Sequence, residues 1–290
     1  MFLVSGLPHV FSNGYQIWFS EIPNPDCAIG YIVPEWVSTN PTYSDIRAIY
    51  GSGKALPNTV IILPLKPKKV EAVKKQLSEI HPKVLLFLNK IKRLSIRETS
   101  SKTCIADSIS AVSISTETNL VSLKTLVADC RVVYLSVQEE ADMTETMCPY
   151  YVWRQVFPVK PNNMVDARKD VKEWVISLAF PSGERLKRGT SSAGVFAFLP
   201  TAMVTNFPFI IQADFILSSS RETILLDNKW NSGILDNVPH SFCSAFTTFM
   251  KSTLTEQHFS VGQVLHFLPC RECPCKEINT VRQSISILLQ

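Results

Sequence analysis
Apolar residues flank an Asn13-Gly14 pair in residues 10–19 (VFSNGYQIWF). Both residues of that pair tolerate the positive φ of a type I′ turn, so the pattern predicts a β-hairpin. Residues 31–37 read as another short extended piece, at an edge or in a loop, because Pro34 cannot donate to a ladder. The β-branched run at 59–65 (TVIILPL) lies between Pro57-Asn58 and Pro67 and predicts a buried strand. In PKKVEAVKKQLSEIHP, Val70, Val73, Leu77 and Ile80 fall three, four and three apart, and Pro67 suits a first turn; this is an amphipathic helix. Past Pro82 the residues Val84, Leu85, Leu88 and Ile91 keep helical spacing and predict a second, more buried helix. The polar stretch 97–103 then gives way to alternation, which places a domain boundary near residue 100.

Beyond that boundary, 109–114, 120–123 and 131–137 alternate as half-buried antiparallel strands do, and 158–163 (PVKPNN) reads as a turn. Longer strands follow at 173–180, 194–199 and 207–217. Residues 230–250 form the best helical segment of this half, with Pro239 expected to start a new helix. Residues 259–290 read as short strands and turns. The pattern as a whole is α/β (α+β) in two domains, 1–100 and 101–290, with no internal repeat and no low-complexity tract.

With 46% hydrophobic and 19% charged residues over 290 positions, the chain is too apolar to be disordered. Lys plus Arg total 29 against 25 for Asp plus Glu, and the resulting +4 is too small for a generic polyanion binder. The eight cysteines are scattered apart from the last three, which fits reduced intracellular thiols rather than a secreted disulfide framework. Nucleus or cytoplasm is the expected location. No uninterrupted apolar run approaches the roughly 18 residues of a membrane-spanning helix, so no membrane role is expected. The N-terminus lacks a basic lead, and Gly6 and Pro8 break its apolar run, so it is no secretion signal. It opens directly on a buried-looking run, as the continuation of a longer chain would.

Four groups of residues invite a chemical reading. Gly51-Ser52-Gly53-Lys54 lacks both the glycine spacing of a phosphate loop and its following Ser or Thr, and reads as a glycine turn. His266, Cys270, Cys273 and Cys275 have the donor types for zinc, but crowd one segment with no distant partner pair; reduced thiols are the better reading. Lysines 66, 68, 69, 74, 75, 83, 90 and 92, with Arg93 and Arg97, concentrate charge in the expected helical hairpin. No stacking aromatics interleave with them, so a solvated face is favoured over nucleic-acid binding. No nucleophile can be assigned a base and an orienting acid. Last, Ser218-Ser219-Ser220-Arg221-Glu222-Thr223 follows a strongly apolar stretch and places an arginine in a loop of small residues. Such a loop can present a planar, always-charged guanidinium to a phosphate; the plain alternative is a surface arginine paired to a nearby acid.

FLVSGLPHVFSNGYQIWF, NTVIILPLKPKKVEAVKKQL, LLFLNKIKRLSIRE, GVFAFLP and FPFIIQADFILSSSRETILLDNKWNSGIL together resemble the plant NO VEIN-like proteins. These belong to the sacsin-like branch of the GHKL (Bergerat-fold) ATPases, which also includes gyrase, histidine kinases and the ninety-kilodalton heat-shock chaperones. The resemblance covers nearly the whole chain and is most specific at 59–97 and 194–235. It implies that 1–100 is the C-terminal part of a Bergerat-type sandwich and that 101–290 is similar to the chaperone middle domain.

That family builds its ATP site from a helix with Asn and an acid, an Asp-x-Gly-x-Gly loop, a glycine-rich lid, and a strand opening with Thr. Thr59 matches the last of these, on the adenine side, with Asn58 where the wider family usually has Gly. The earlier motifs, with the magnesium ligand and the general base, would lie upstream of Met1. SSSRETIL resembles the catalytic loop whose Arg reaches the γ-phosphate, which would be Arg221; Leu225 stands where a nearby chaperone Gln would be. The resemblance therefore implies a chaperone-like parent that binds ATP and Mg, forms a homodimer, works in plant development and resides in the nucleus. It implies a chain that does not hydrolyse ATP alone. A nonenzymatic scaffold or protein-interaction module derived from a degenerate ATPase fold is the alternative.

Overall fold
The computed structural model describes residues 1–23, 32–50, 57–99, 106–119, 128–139, 145–183, 194–255 and 259–290. The chain divides into two compact units, Met1–Ser78 and Glu79–Gln290. Both are mixed α/β and built on largely antiparallel sheets.

In the first unit, β1 (His9–Ser12) and β2 (Tyr15–Trp18) form the expected hairpin, with Asn13 at φ 48° and Gly14 at φ 86° in its turn. β3 (Glu35–Trp36) and β4 (Thr59–Ile62) complete a sheet in the order β3-β2-β1-β4. The 59–65 run was expected to be buried, but β4 is an edge strand whose exposure alternates, with Val60 inside and Ile61 half exposed. A short β-branched run does not by itself distinguish a covered strand from an edge. A helix that the hydrophobic pattern did not announce, α1 (Tyr43–Tyr50), covers one face through Ile46 packed with Phe11 and Val60. Asp45 accepts hydrogen bonds from the Thr42 amide and hydroxyl, both at 2.7 Å, and these hold its carboxyl below the usual range. The amphipathic helix forms as α2 (Val70–Ser78), behind a 3-10 turn at Pro67–Lys69.

The second unit starts before residue 100. The helix expected over 83–94 is a 3-10 turn at Pro82–Leu85 followed by β5 (Arg93–Thr99). Leu85, Leu86 and Phe87 are buried together, so one short apolar run caps a sheet face where helical spacing alone suggested two turns of helix. Of the basic residues of the supposed helical hairpin, lysines 66, 68, 69, 74 and 75 thereby belong to the first unit, and lysines 83, 90 and 92 with Arg93 and Arg97 to the second.

β5 pairs antiparallel with β6 (Ala106–Asn119), and the meander continues through β7 (Ala128–Glu139), β8 (Glu145–Pro158) and β9 (Glu173–Pro181). β10 (Gly194–Ala197), β11 (Leu199–Val204) and β12 (Ile210–Gln212) finish an eight-stranded sheet in the order β11-β10-β12-β9-β8-β7-β6-β5. Its one parallel contact among the described pairings is β10 with β12. The 194–199 stretch is two strands, because Phe198 turns the chain at φ 64°. The 207–217 stretch joins the eight-stranded sheet only over β12, and its later part leaves that sheet. Residues 120–123 and Gly51-Ser52-Gly53-Lys54 lie outside the described residues.

The strand alternation fills both sheet faces. Trp174, Ile176, Leu178 and Phe180 of β9 pack with α3 (Lys229–Thr255), α4 (Val261–Leu265) and α5 (Lys276–Leu288). Val133, Leu135, Val152, Ala179 and Ile210 face the opposite way, under Leu85–Phe87. α3 runs through Pro239 instead of restarting there: one lost backbone hydrogen bond is outweighed by the buried row Ile234, Leu235, Val238, Phe242, Ala245 and Phe249. The 259–290 region is helical, contrary to the expected strands. Ser260 and Gln263 form a reciprocal capping box at the head of α4, and Ile278, Val281 and Ile285 supply the buried stripe of α5.

Two glycines mark close approaches. A Cβ on Gly233 of α3 would lie 2.4 Å from Cη2 of Trp174. One on Gly194 would lie 2.5 Å from the backbone oxygen of Met203, beside the register shift between β10 and β11. Because that oxygen belongs to the paired strand, Gly194→Ala should lower stability by about 1–3 kcal/mol. A shift of the urea midpoint with unchanged m-value is the expected reading, and an unshifted midpoint would show that the β10–β11 pairing yields freely.

Candidate functional site
The loop carrying Arg221 is built by the chain as it leaves β12. Asp214 forms a bidentate pair with Arg168, Oδ2 to Nε at 2.9 Å and Oδ1 to Nη2 at 3.1 Å. Its carbonyl accepts the indole N–H of buried Trp230 at 2.9 Å. Next, Ile216 and Leu225 close a stem, with the Leu225 amide donating to the Ile216 carbonyl at 3.0 Å. Leu217 and Ile224 form an antiparallel bridge, and the Ser218 amide donates to the Thr223 carbonyl at 2.9 Å.

The hydroxyls of the loop bond to one another. Thr223 Oγ1 donates to Ser218 Oγ at 3.2 Å, and Ser218 Oγ shares a hydrogen bond with Ser220 Oγ at 3.1 Å. Arg221 sits at φ 60°, a left-handed conformation that costs a non-glycine residue about 1 kcal/mol or more, and its amide donates to the Ser218 carbonyl at 2.9 Å. Its side chain is exposed and makes no ion pair among the described residues. Among the described residues, no acid pairs with this guanidinium. The Glu222 carbonyl accepts the Ala202 amide at 2.7 Å, tying the loop to β11. Leu225 is also exposed, and it offers its backbone carbonyl to the Asn228 amide at 3.2 Å.

The loop is fastened from the first turn of α3. Asn231 is fully buried; its Oδ1 accepts the Ile216 amide at 2.8 Å, and its Nδ2 donates to the carbonyls of Ile216 at 2.7 Å and Leu225 at 2.9 Å. Sequence reading did not single out Asn231. An Asn in the first turn of an apolar helix is a modest signal that its amide has a local backbone to satisfy.

Thr59 begins β4, across from Ser12, and their hydroxyls hydrogen-bond at 2.8 Å. It lies on the sheet face opposite the Phe11–Ile46–Val60 core. The same face carries Val10, Ile17, Ile61 and a stacked pair, Tyr15 and Trp36, whose ring centroids are 5.9 Å apart with planes at 11°. Tyr15 and Trp36 are 60% and 64% exposed, so this face is apolar and open. Thr59 belongs to the first unit and Arg221 to the second.

His266, Cys270, Cys273 and Cys275 do not converge, and no group of three or more His, Cys, Asp or Glu among the described residues is placed to hold a metal. His266 Nδ1 bonds to the Gly262 carbonyl at 2.6 Å, buried Cys273 donates to the Val204 carbonyl at 3.4 Å, and Cys270 is exposed. Burial pushes the Cys275 thiol up, and it donates to Glu277 Oε2 at 3.3 Å.

One cavity of the second unit went unanticipated. A trough of about 880 Å³ crosses the sheet near Arg154, Ser177 and Gln212. Its rim includes Phe87 and the turn holding Arg168, whose pair with Asp214 joins it to the start of the Arg221 loop. The Gln212 side-chain Oε1 accepts the Phe198 amide at 2.8 Å, which fixes the turn between β10 and β11. Strand residues contribute to such a trough through their order in the sheet, which short alternating runs do not reveal.

No helix among the described residues is long and apolar enough to cross a membrane. No family model matches the chain, and no solved structure matches it. A curated protein, Protein NO VEIN of Arabidopsis thaliana, is 30% identical over 280 residues. The match takes in 90% of this chain and 9% of the length of that plant protein, and it supports a NO VEIN-like family for the chain.

Proposed function
We propose that this chain is a portion of a GHKL-type, ATP-binding, chaperone-like protein and is not ATPase-competent by itself. In this reading the first unit is the C-terminal part of a Bergerat-type sandwich and the second corresponds to a chaperone middle domain. Thr59 lies on the adenine side of the nucleotide, Arg221 contacts the γ-phosphate, and the intact parent supplies the remaining ATP and Mg ligands, as a homodimer in the nucleus. The observation that carries the proposal is the exposed Arg221 guanidinium, free of ion pairs among the described residues, at the apex of a loop whose Ser218, Ser220 and Thr223 hydroxyls bond to one another. A guanidinium so placed stabilises the charge that develops on a transferred phosphoryl group.

Two measurements test this. Calorimetric titration of the 290-residue chain with ATP and magnesium should give no detectable heat; micromolar binding, about −8 kcal/mol, would show that a nucleotide site exists without the other motifs. In a protein extended upstream to include those motifs, Arg221→Ala should lower turnover about a hundredfold, and unchanged turnover would remove Arg221 from the mechanism. A second reading is a nonenzymatic scaffold or protein-interaction module derived from a degenerate ATPase fold. It predicts that the extended protein neither binds nor turns over ATP.

A further inference from the structure
The Arg221 loop has little regular pairing of its own. Between Ile216 and Leu225 the structure has a single isolated bridge, Leu217 with Ile224, and an apex residue in the left-handed region. An exposed loop of that kind relaxes unless its base is fixed. Here the Leu225 amide to Ile216 carbonyl bond and the Ala202–Glu222 tie to β11 are joined at the base by one side chain: all three hydrogen bonds of buried Asn231 go to the two residues that close the stem. Both the amide and the carbonyl of Ile216 are engaged by that one side chain, and the Leu225 carbonyl takes its third bond. The neighbouring Trp230 holds the Asp214 carbonyl, so a single turn of α3 secures the chain on its way into the loop and on its way out.

We infer that Asn231 is the positioning residue for Arg221, holding the stem in the one register that presents the guanidinium at the loop apex. The inference rests on the reading of Arg221 as a phosphate contact. Asn231 touches no ligand in this scheme. Its amide reaches a donor and two acceptors at once, which neither Ala nor Ser can do, and Asp would lose both donated bonds.

Amide hydrogen exchange on the full 290-residue chain tests the clamp itself. Asn231→Ala should speed exchange of the Ser218 and Leu225 amides by about tenfold or more while leaving the β8–β9 ladder amides unchanged. Asn231→Ser, which keeps a buried hydroxyl, serves if the Ala variant does not fold. Equal acceleration across the whole unit would mean that Asn231 only adds bulk stability, and would overturn the inference.

The functional half is read in the upstream-extended protein as a cycle with Arg221→Ala. Asn231→Ser should lower kcat about fivefold or more with KM nearly unchanged, and the double variant should be no slower than Arg221→Ala alone. Independent multiplication of the two effects, or an unchanged kcat for Asn231→Ser, would overturn the positioning role. If Arg221→Ala itself leaves kcat unchanged, the phosphate reading fails, and the exchange result still decides whether Asn231 holds the loop.

Discussion

Replacing Phe180 by alanine should lower the stability of the second unit by about 3–5 kcal/mol, the range for emptying a large aromatic site in a packed core. Phe180 is 1% exposed and lies at the centre of a ring cluster, 5.3 Å from Phe209, 6.1 Å from Phe242, 5.3 Å from Phe249 and 4.9 Å from Phe267 by centroid. Those neighbours come from the sheet side, from α3 and from the segment after α4, so collapse around the vacancy would require three elements to move together. Phe180→Leu leaves a smaller void and should lose less. The measurement is the urea midpoint of the transition that exposes Trp174 and Trp230; a loss under about 1 kcal/mol would show that the cluster is loosely packed.

The second large effect depends on pH. Cys130 is 2% exposed on β7, and burial, with a smaller push from the Asp129 carboxylate, raises its thiol from the ordinary 9.0 to about 12. In the folded chain the thiol stays neutral up to that point, whereas in the unfolded chain it ionises from about 9 onward. The folded state therefore binds more protons between those values, and stability falls as pH rises through that window. The loss should run at about 1.4 kcal/mol per pH unit and reach about 4 kcal/mol near pH 12. Below the ordinary thiol value the contribution is intact. Other groups also titrate at alkaline pH, so the decisive quantity is the difference in slope between the wild-type chain and Cys130→Ala from pH 8 to pH 11. Equal slopes would mean that water reaches the thiol in the folded state.

Much of the sheet was legible in the sequence because its signals are local. Asn13-Gly14 specified a hairpin through the one backbone conformation it favours, and the strands at 131–137 and 173–180 declared themselves by alternation. The misreadings occurred where tertiary context overrides a short pattern. Residues 83–88 have helical spacing, yet they cap a sheet face already supplied by Val133, Leu135 and Val152, which the sequence places far away. Pro239 punctuates a sequence, but inside a helix held by a row of buried apolar side chains its missing donor is tolerated. In 259–290 the Ser260–Gln263 capping box was present to be read, and the polar spacing around it obscured two short helices.

The candidate site shows the same division. Arg221 stood out because a charged residue in a run of small ones is visible along the chain. Asn231 did not, because what distinguishes it is Ile216, 15 residues earlier in the chain, brought back onto its amide. The trough at Arg154, Ser177 and Gln212 was hidden for a related reason: its lining comes from strands whose order in the sheet differs from their order in the sequence.

The contact between Gly233 and Trp174 also constrains how this fold can change over generations. Any side chain at 233 would enter the space of the indole, and the Asn163 side chain, 2.7 Å from the same imagined Cβ, closes the way around it. A larger residue at 233 is admissible only after Trp174 has already become smaller and the Asn163 side chain has moved aside. That first step empties a core position and is itself costly. The two sites are therefore joined as a ratchet: neither is free to drift first, and lineages descended from a chain with this pair should keep both residues or replace both.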